Sequence, residues 1–172
     1  MLVLSPANAH DLRDLQAIEQ SATQQYYDAG FSRAAIVARD AEALRELLRR
    51  TTVLLARVDD DAVGYVSFYP RGPYLHLEEI AVRRDRQRRG CGRLLAGQVL
   101  AAAADDPQCT HVSLVAFTRA PWAVGLYRAL GFQRLGEQPE HLPHAELLHE
   151  LAPLDAAGEP RQIMVRPVPA PP

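Results

Sequence analysis

Apolar residues along the 172-residue chain recur with two different periods, and the switches between them outline the fold. Residues 2–4 form a short apolar run stopped by Pro6, which predicts a strand. Asn8 is placed to cap a helix on which Leu12, Leu15 and Ile18 recur at helical spacing. The pattern becomes irregular from Tyr26 to Arg33, with Gly30 as a breaker. A second helix follows over 40–50, with Leu44, Leu47 and Leu48 on one side. Segments 53–58 and 63–69 predict strands joined by Asp59-Asp60-Asp61-Ala62, a hairpin signal. Pro70 to Pro73 reads as a turn, and 74–82 as the next strand.

A Leu/Ala-rich helix is expected over 92–104, and Pro107 breaks the chain after it. Residues 111–117 read as a buried strand. A helix over 122–130 ends at Gly131, a suitable cap. A strand over 132–135, a helix over 141–151 and a final strand over 162–168 complete the chain. The order β-α-α-β-β-β-α-β-α-β, with one late strand, predicts an α/β domain with a mixed sheet. One domain is expected over 1–168, with a proline-rich tail over 169–172 that should be extended. No internal repeat is present.

Gln87-Arg88-Arg89-Gly90-Cys91-Gly92 lies between an apolar strand and the long Leu/Ala helix. It describes a loop that turns backbone N–H groups onto a phosphate. Gly90 and Gly92 let the main chain approach closely and take positive φ where needed. The helix beginning there points its positive dipole end and unpaired N–H groups at the same place. Arg88, Arg89 and Arg93 add cations suited to a diphosphate. The loop lacks the Gly-Lys-Ser/Thr of a P-loop and does not read G-x-G-x-x-G, so ATP and dinucleotide fingerprints both fail.

Composition narrows the partners. Apolar content of 48% and charged content of 23% are ordinary for a globular chain. The formal charge of −2 argues against a nucleic-acid partner, although 83–93 is locally basic. All nineteen cations are arginine, which a GC-rich genome explains most simply. Cys91 and Cys109 are too few and too differently placed for a disulfide framework or a metal site. The N-terminus lacks the basic start and apolar core of a signal peptide, and no apolar stretch approaches membrane-spanning length. A reduced, cytoplasmic protein with no membrane partner is expected.

The run from Leu77 to Leu95 resembles the central acyl-CoA motif of the Gcn5-related N-acetyltransferases, with its Gln/Arg-x-x-Gly-x-Gly/Ala loop. Forty residues on, Leu126-Tyr127-Arg128-Ala129-Leu130-Gly131-Phe132 is similar to that family's second motif, a helix carrying Tyr and ending in Gly-Phe. The resemblance implies a mixed central sheet of about seven strands flanked by helices, splayed at the acyl-CoA site. It implies acetyl-CoA as cosubstrate and no metal. Gln87, Arg88, Arg89, Gly90, Cys91, Gly92 and Arg93 become the diphosphate clamp. Ile80, Ala81 and Val82 become the strand along which the pantetheine arm runs, with an N–H near Val82 aimed at the thioester carbonyl. Tyr127, four residues before Gly131, becomes the acid that protonates the departing thiolate.

Glu78 and Glu79 are adjacent on a strand and should face opposite sides unless a bulge intervenes. Two carboxylates in an apolar strand are costly unless solvated or paired. Similarity to the Leu-Glu-Asp of polyamine acetyltransferases implies Glu78 as base and Glu79 as cation anchor. The alternative is that one or both pair with Arg83 or Arg84. Trp122 is either a lining of the acceptor pocket or a core anchor. Cys91, at a helix N-terminus beside arginines, should have a lowered pKa, yet the resembling family normally has Ile, Leu, Val or a small residue there, which implies no acyl-Cys intermediate. His141, His144 and His149 lack companions at metal-ligand spacing. Asp59 to Asp61 reads as a solvated turn.

Two positions depart from the family pattern. Ala120 stands where many relatives have a cofactor-contacting Asn, and Val115 where acetylators of ribosomal-protein N-termini carry Glu. The expected activity is transfer of acetyl to a primary amine of a small, cationic molecule by direct attack. The alternatives are a protein N-terminal or lysine acetyltransferase and an acyl-CoA-binding sensor without turnover. A homodimer is compatible with the late strand.

Overall fold

The structure, a computed structural model, describes residues 1–138, 141–149 and 157–169. Among these residues seven strands form one mixed sheet. They are β1 (Leu2–Pro6), β2 (Thr52–Val58), β3 (Asp61–Arg71), β4 (Tyr74–Val82), β5 (His111–Phe117), β6 (Gln133–Arg134) and β7 (Arg161–Pro167). Their order across the sheet is β1-β2-β3-β4-β5-β7-β6. β4 and β5 are parallel neighbours; β1/β2, β2/β3, β5/β7 and β6/β7 are antiparallel. The helices are α1 (Leu12–Asp28), α2 (Ala41–Arg50), α3 (Cys91–Asp105), α4 (Pro121–Ala129) and α5 (Ala145–His149). The expected element order is therefore present, as is the mixed sheet. No helix among the described residues is long and apolar enough to cross a membrane.

The chain divides into two compact units. The first comprises residues 1–69 and 78–96. Asn8 accepts from the His10 N–H and caps a 3-10 turn, Ala9–Asp11, from which α1 continues. Asp40 accepts from the N–H groups of Glu42 and Ala43 and so starts α2. The apolar faces of both helices supply Leu15, Ile18, Leu44 and Leu47 to a core completed by Val53, Leu55, Ala62, Tyr65 and Ala81 from the sheet. The β2–β3 hairpin is tighter than the four-residue connection expected. Val58 pairs with Asp61 across a two-residue turn, and Asp59 and Asp60 take φ of 48° and 68°. Short polar side chains tolerate that left-handed region, which matches the twist of a hairpin.

The second unit comprises residues 70–77 and 97–172. Its core gathers Tyr74, Leu142, Leu148, Ile163 and Val165. The parallel ladder between β4 and β5 runs from Tyr74↔His111 to Leu77↔Leu114, while β7 pairs along the whole of β5. Pro121 opens α4 at a position where its missing N–H costs nothing, and Gly131 ends it at φ +88°. The helix expected over 141–151 is shorter, because Pro143 and the positive φ of His144 delay its start to Ala145. Residues 150–151 lie outside the described residues, as does 170–172 of the tail. The strand expected at 132–135 is only two residues long.

Candidate functional site

The loop between β4 and α3 is built by hydrogen bonds that hold its start and leave its end open. Arg83 N–H donates to the Val63 carbonyl at 2.9 Å, and Gln87 Nε2 donates back to the Val82 carbonyl at 3.0 Å. Gln87 thus fastens the loop to the strand. Arg83 and Arg86 both reach Asp61, at 2.7 and 3.0 Å, and Arg84 pairs with Asp28. Asp61 is therefore the loop's electrostatic anchor rather than part of a solvated turn. Arg88, Arg89 and Arg93 differ: all three are exposed and without a partner among the described residues.

Backbone geometry at the loop's end departs from the sequence reading in one respect. Gly90 takes φ +86°, but the second left-handed residue is Arg88 at +60°, not Gly92. The first helical bond of α3 runs from Leu94 N–H to the Gly90 carbonyl, so the N–H groups before it precede the ladder. A side chain at Gly90 would meet nothing within 4 Å, so the space beside it is open. Three exposed arginines, a left-handed glycine and a helix N-terminus thus fall between Arg88 and Arg93.

Gly64, on β3, was not singled out by sequence reading. A Cβ there would stand 2.8 Å from the Ala81 carbonyl oxygen and 3.3 Å from Cys91 Sγ. Its absence lets Cys91 seat the first turn of α3 against the strands. Cys91 is only 4% exposed, and burial pushes its thiol pKa up. This corrects the lowered value expected: desolvation outweighs the helix dipole and the nearby arginines, which face outward. Cys109 is likewise raised by burial, and both cysteines are free.

Glu78 and Glu79 do not pair with Arg83 or Arg84. Glu79 Oε2 lies 3.0 Å from Arg39 Nη1, and Glu78 Oε1 binds Arg50 and stands 4.0 Å from Arg39 Nη2. Both neighbouring side chains thus reach one guanidinium. Along β4 the burial alternation fails, with His76 and Leu77 both buried and Glu78, Glu79 and Ile80 all half-buried. Arg39 is held in turn by Glu19: Nη1 to Oε1 at 2.9 Å, and the Arg39 N–H to Oε2 at 3.1 Å. The buried Tyr65 hydroxyl donates to the same Glu19 carboxylate. The crowded, desolvated surroundings push the Glu79 carboxyl up, against the pull of Arg39 and with the repulsion of Glu19 and Glu78. Glu78 Oε2 is buried without a hydrogen bond.

Arg39, Glu19 and Tyr65 were missed by sequence reading. Arg39 lies in the aperiodic stretch before α2. Glu19, however, falls four residues after Leu15 and seven after Leu12, on the apolar face of α1, and that placement was a readable signal.

In the second unit, Tyr127 on α4 is buried, with its ring edge-on to Phe132 at a centroid separation of 5.8 Å. Trp122 on the same helix is half-buried. Ala120 is buried ahead of α4, and Val115 is half-buried on β5. His144 lies 3.2 Å from Glu146, and the described residues hold no group of three His, Cys, Asp or Glu able to bind a metal.

Comparison with known proteins is consistent with this geometry. Among solved structures, the ribosomal-protein-S18-alanine N-acetyltransferase of Escherichia coli matches with a TM-score of 0.73 at 20% identity, covering 100% of this chain and 97% of that one. The PaiA N-acetyltransferase of Thermoplasma acidophilum, solved with coenzyme A, gives 0.72 at 13% identity, with 97% and 99% covered. An N-acetylglutamate synthase from Neisseria gonorrhoeae, complexed with coenzyme A and N-acetyl-glutamate, gives 0.67 at 16% identity, covering 98% of this chain and 35% of that one. These likenesses establish the fold. A sequence profile of the acetyltransferase (GNAT) family matches residues 13–132, which take in both the loop and the Tyr127 helix. The chain therefore belongs to the acetyltransferase (GNAT) family.

Proposed function

We propose that this protein transfers acetyl from acetyl-CoA to a primary amine of a small, cationic molecule by direct attack. The observation that carries the reading is the segment Arg88–Arg93, where three arginines without partners among the described residues flank the left-handed Gly90 in the chain. A diphosphate would satisfy the N–H groups and the guanidiniums together. The cofactor's pantetheine arm would then run along Ile80, Ala81 and Val82, which continue β4 past its ladder with β5.

Glu79 meets the acceptor's ammonium, and Glu78 takes its proton directly or through water. The amine nitrogen attacks the thioester carbonyl, the C–S bond breaks, and the Tyr127 hydroxyl gives its proton to the departing thiolate. Supporting the base role, Glu78 Oε2 is buried without a hydrogen bond among the described residues; supporting the anchor role, Glu79 already holds a cation, the Arg39 guanidinium, at 3.0 Å. The role of Tyr127 is supported by the motif around Gly131-Phe132. A second reading is an acyl-CoA-binding module without turnover. It is favoured by one observation: both acids are already engaged by arginines.

Thiol release from acetyl-CoA across a panel of amines tests the reading, with Tyr127→Phe alongside. The expected result is release stimulated by one class of cationic amine, reduced about 10²- to 10⁴-fold in the variant, with acetyl-CoA affinity nearly intact. Acetyl-CoA binding without release for any amine would favour the second reading.

A further inference from the structure

Five charged side chains from four parts of the first unit converge beside the strand that carries Glu78 and Glu79. Glu19 comes from α1, Arg39 from the segment before α2, Arg50 from the end of α2, and Glu78 and Glu79 from β4. Tyr65 of β3 closes the cluster from within the core. Three carboxylates face two guanidiniums, so one formal negative charge is left over.

The contacts are ordered in layers. Both Glu19 oxygens are engaged: they accept from the Tyr65 hydroxyl, the Arg39 N–H and the Arg39 guanidinium. Burial and the facing carboxylates hold the Tyr65 hydroxyl pKa well above the usual range for a phenol, so it remains a donor. Arg39 is thereby locked at backbone and side chain together. Its Nη1 serves Glu19 and Glu79 at once, and its Nη2 faces Glu78. A planar fork with several fixed donors can do this, and a lysine ammonium on a flexible stem cannot.

We infer that Arg39 is a positioning residue, fixed by Glu19 and Tyr65, that sets where Glu79 points and how much negative charge the acceptor amine meets. The inference rests on the acetyl-transfer reading and deepens it. Nucleophilic attack needs a neutral amine. Three carboxylates with Arg50 alone would hold the ammonium too firmly in its protonated form. Arg39 leaves enough negative charge to attract a cation while still allowing it to lose a proton.

Two measurements on the full chain test this. The first needs no acceptor: 13C NMR titration of the Glu79 carboxyl in wild type, Arg39→Gln and Arg39→Lys. Removing the cation should move the Glu79 titration to higher pH, and lysine should return most of that shift. The second is the pH profile of kcat/KM for acetylation of 1,4-diaminobutane by acetyl-CoA. In Arg39→Gln, kcat/KM should fall about 10- to 100-fold, and its rising limb should move to higher pH. Arg39→Lys should keep the wild-type limb at a reduced kcat. Tyr65→Phe, which frees one bond to Glu19, should reproduce a weaker form of the Arg39→Gln profile.

An unchanged Glu79 titration in Arg39→Gln would overturn the inference. So would a lowered rate whose pH limb matches wild type, which is the mark of a merely structural arginine. A shifted Glu79 titration without turnover of the diamine would support the inference while counting against the acceptor reading.

Discussion

Gly90 offers a way to separate backbone strain from charge at the proposed clamp. It takes φ +86°, and a Cβ there would meet no atom within 4 Å. Alanine therefore brings no clash, only the cost of a left-handed residue, about 1–2 kcal/mol in folding stability. Aspartate tolerates that conformation better than alanine, yet it adds a carboxylate to the loop proposed to hold the diphosphate. At about 6 Å from a phosphate charge, with an effective dielectric of roughly 20–80, repulsion comes to about 0.7–2.8 kcal/mol. That weakens coenzyme A binding by roughly 3- to 100-fold, toward the upper end for a ligand with several charges. Calorimetric titration with coenzyme A, paired with thermal melts, reads both effects. Gly90→Ala should lose stability and keep most affinity, whereas Gly90→Asp should lose affinity and less stability. Equal affinity in wild type and Gly90→Asp would show that the phosphates bind elsewhere.

Three other outcomes follow from particular contacts. Gly64→Ala drives a Cβ to 2.8 Å from the Ala81 carbonyl oxygen, a backbone atom that cannot swing aside. It should cost about 1–3 kcal/mol and lower Tm by roughly 2–12 °C; an unchanged melt would show that β3 and β4 shift freely. His76 is buried beside Arg71 and its Nδ1 lies 3.0 Å from Ser113 Oγ; burial first, then the arginine, lower its pKa to about 4. Its neutral form is the one the fold accepts, so stability is complete above pH 6.5 and is lost as pH falls toward 4. The loss is at most about 3 kcal/mol, and denaturation of His76→Gln should show a shallower decline across that window than wild type. For Glu78→Gln, the lost acetylation rate should partly recover at high pH, where free amine is abundant; a profile parallel to wild type would remove Glu78 as the base.

The sequence was most legible where one local rule determines structure. Asn8 and Asp40 announce helix starts by the hydrogen bonds their side chains can make, and Gly131 ends α4 as a left-handed cap should. The loop before α3 was legible for the same reason: glycine spacing and a helix start lie within seven residues, and Gly90 takes the positive φ expected of it. What escaped depends on residues distant in the chain. Nothing near Arg39 says that it will meet Glu19 and Glu79, twenty and forty residues away. Cys91 misled because its neighbours suggested an exposed, electropositive setting, while Gly64 opened a buried seat for it. Asp61 looked like one more turn residue, but the two-residue hairpin placed it on the strand, within reach of Arg83 and Arg86.

Amide NMR during titration with coenzyme A tests the central claim most directly. The backbone N–H signals of residues 88–93 should move most, saturating together at one ligand per chain. Signals there that stay in place while another part of the chain responds would contradict it.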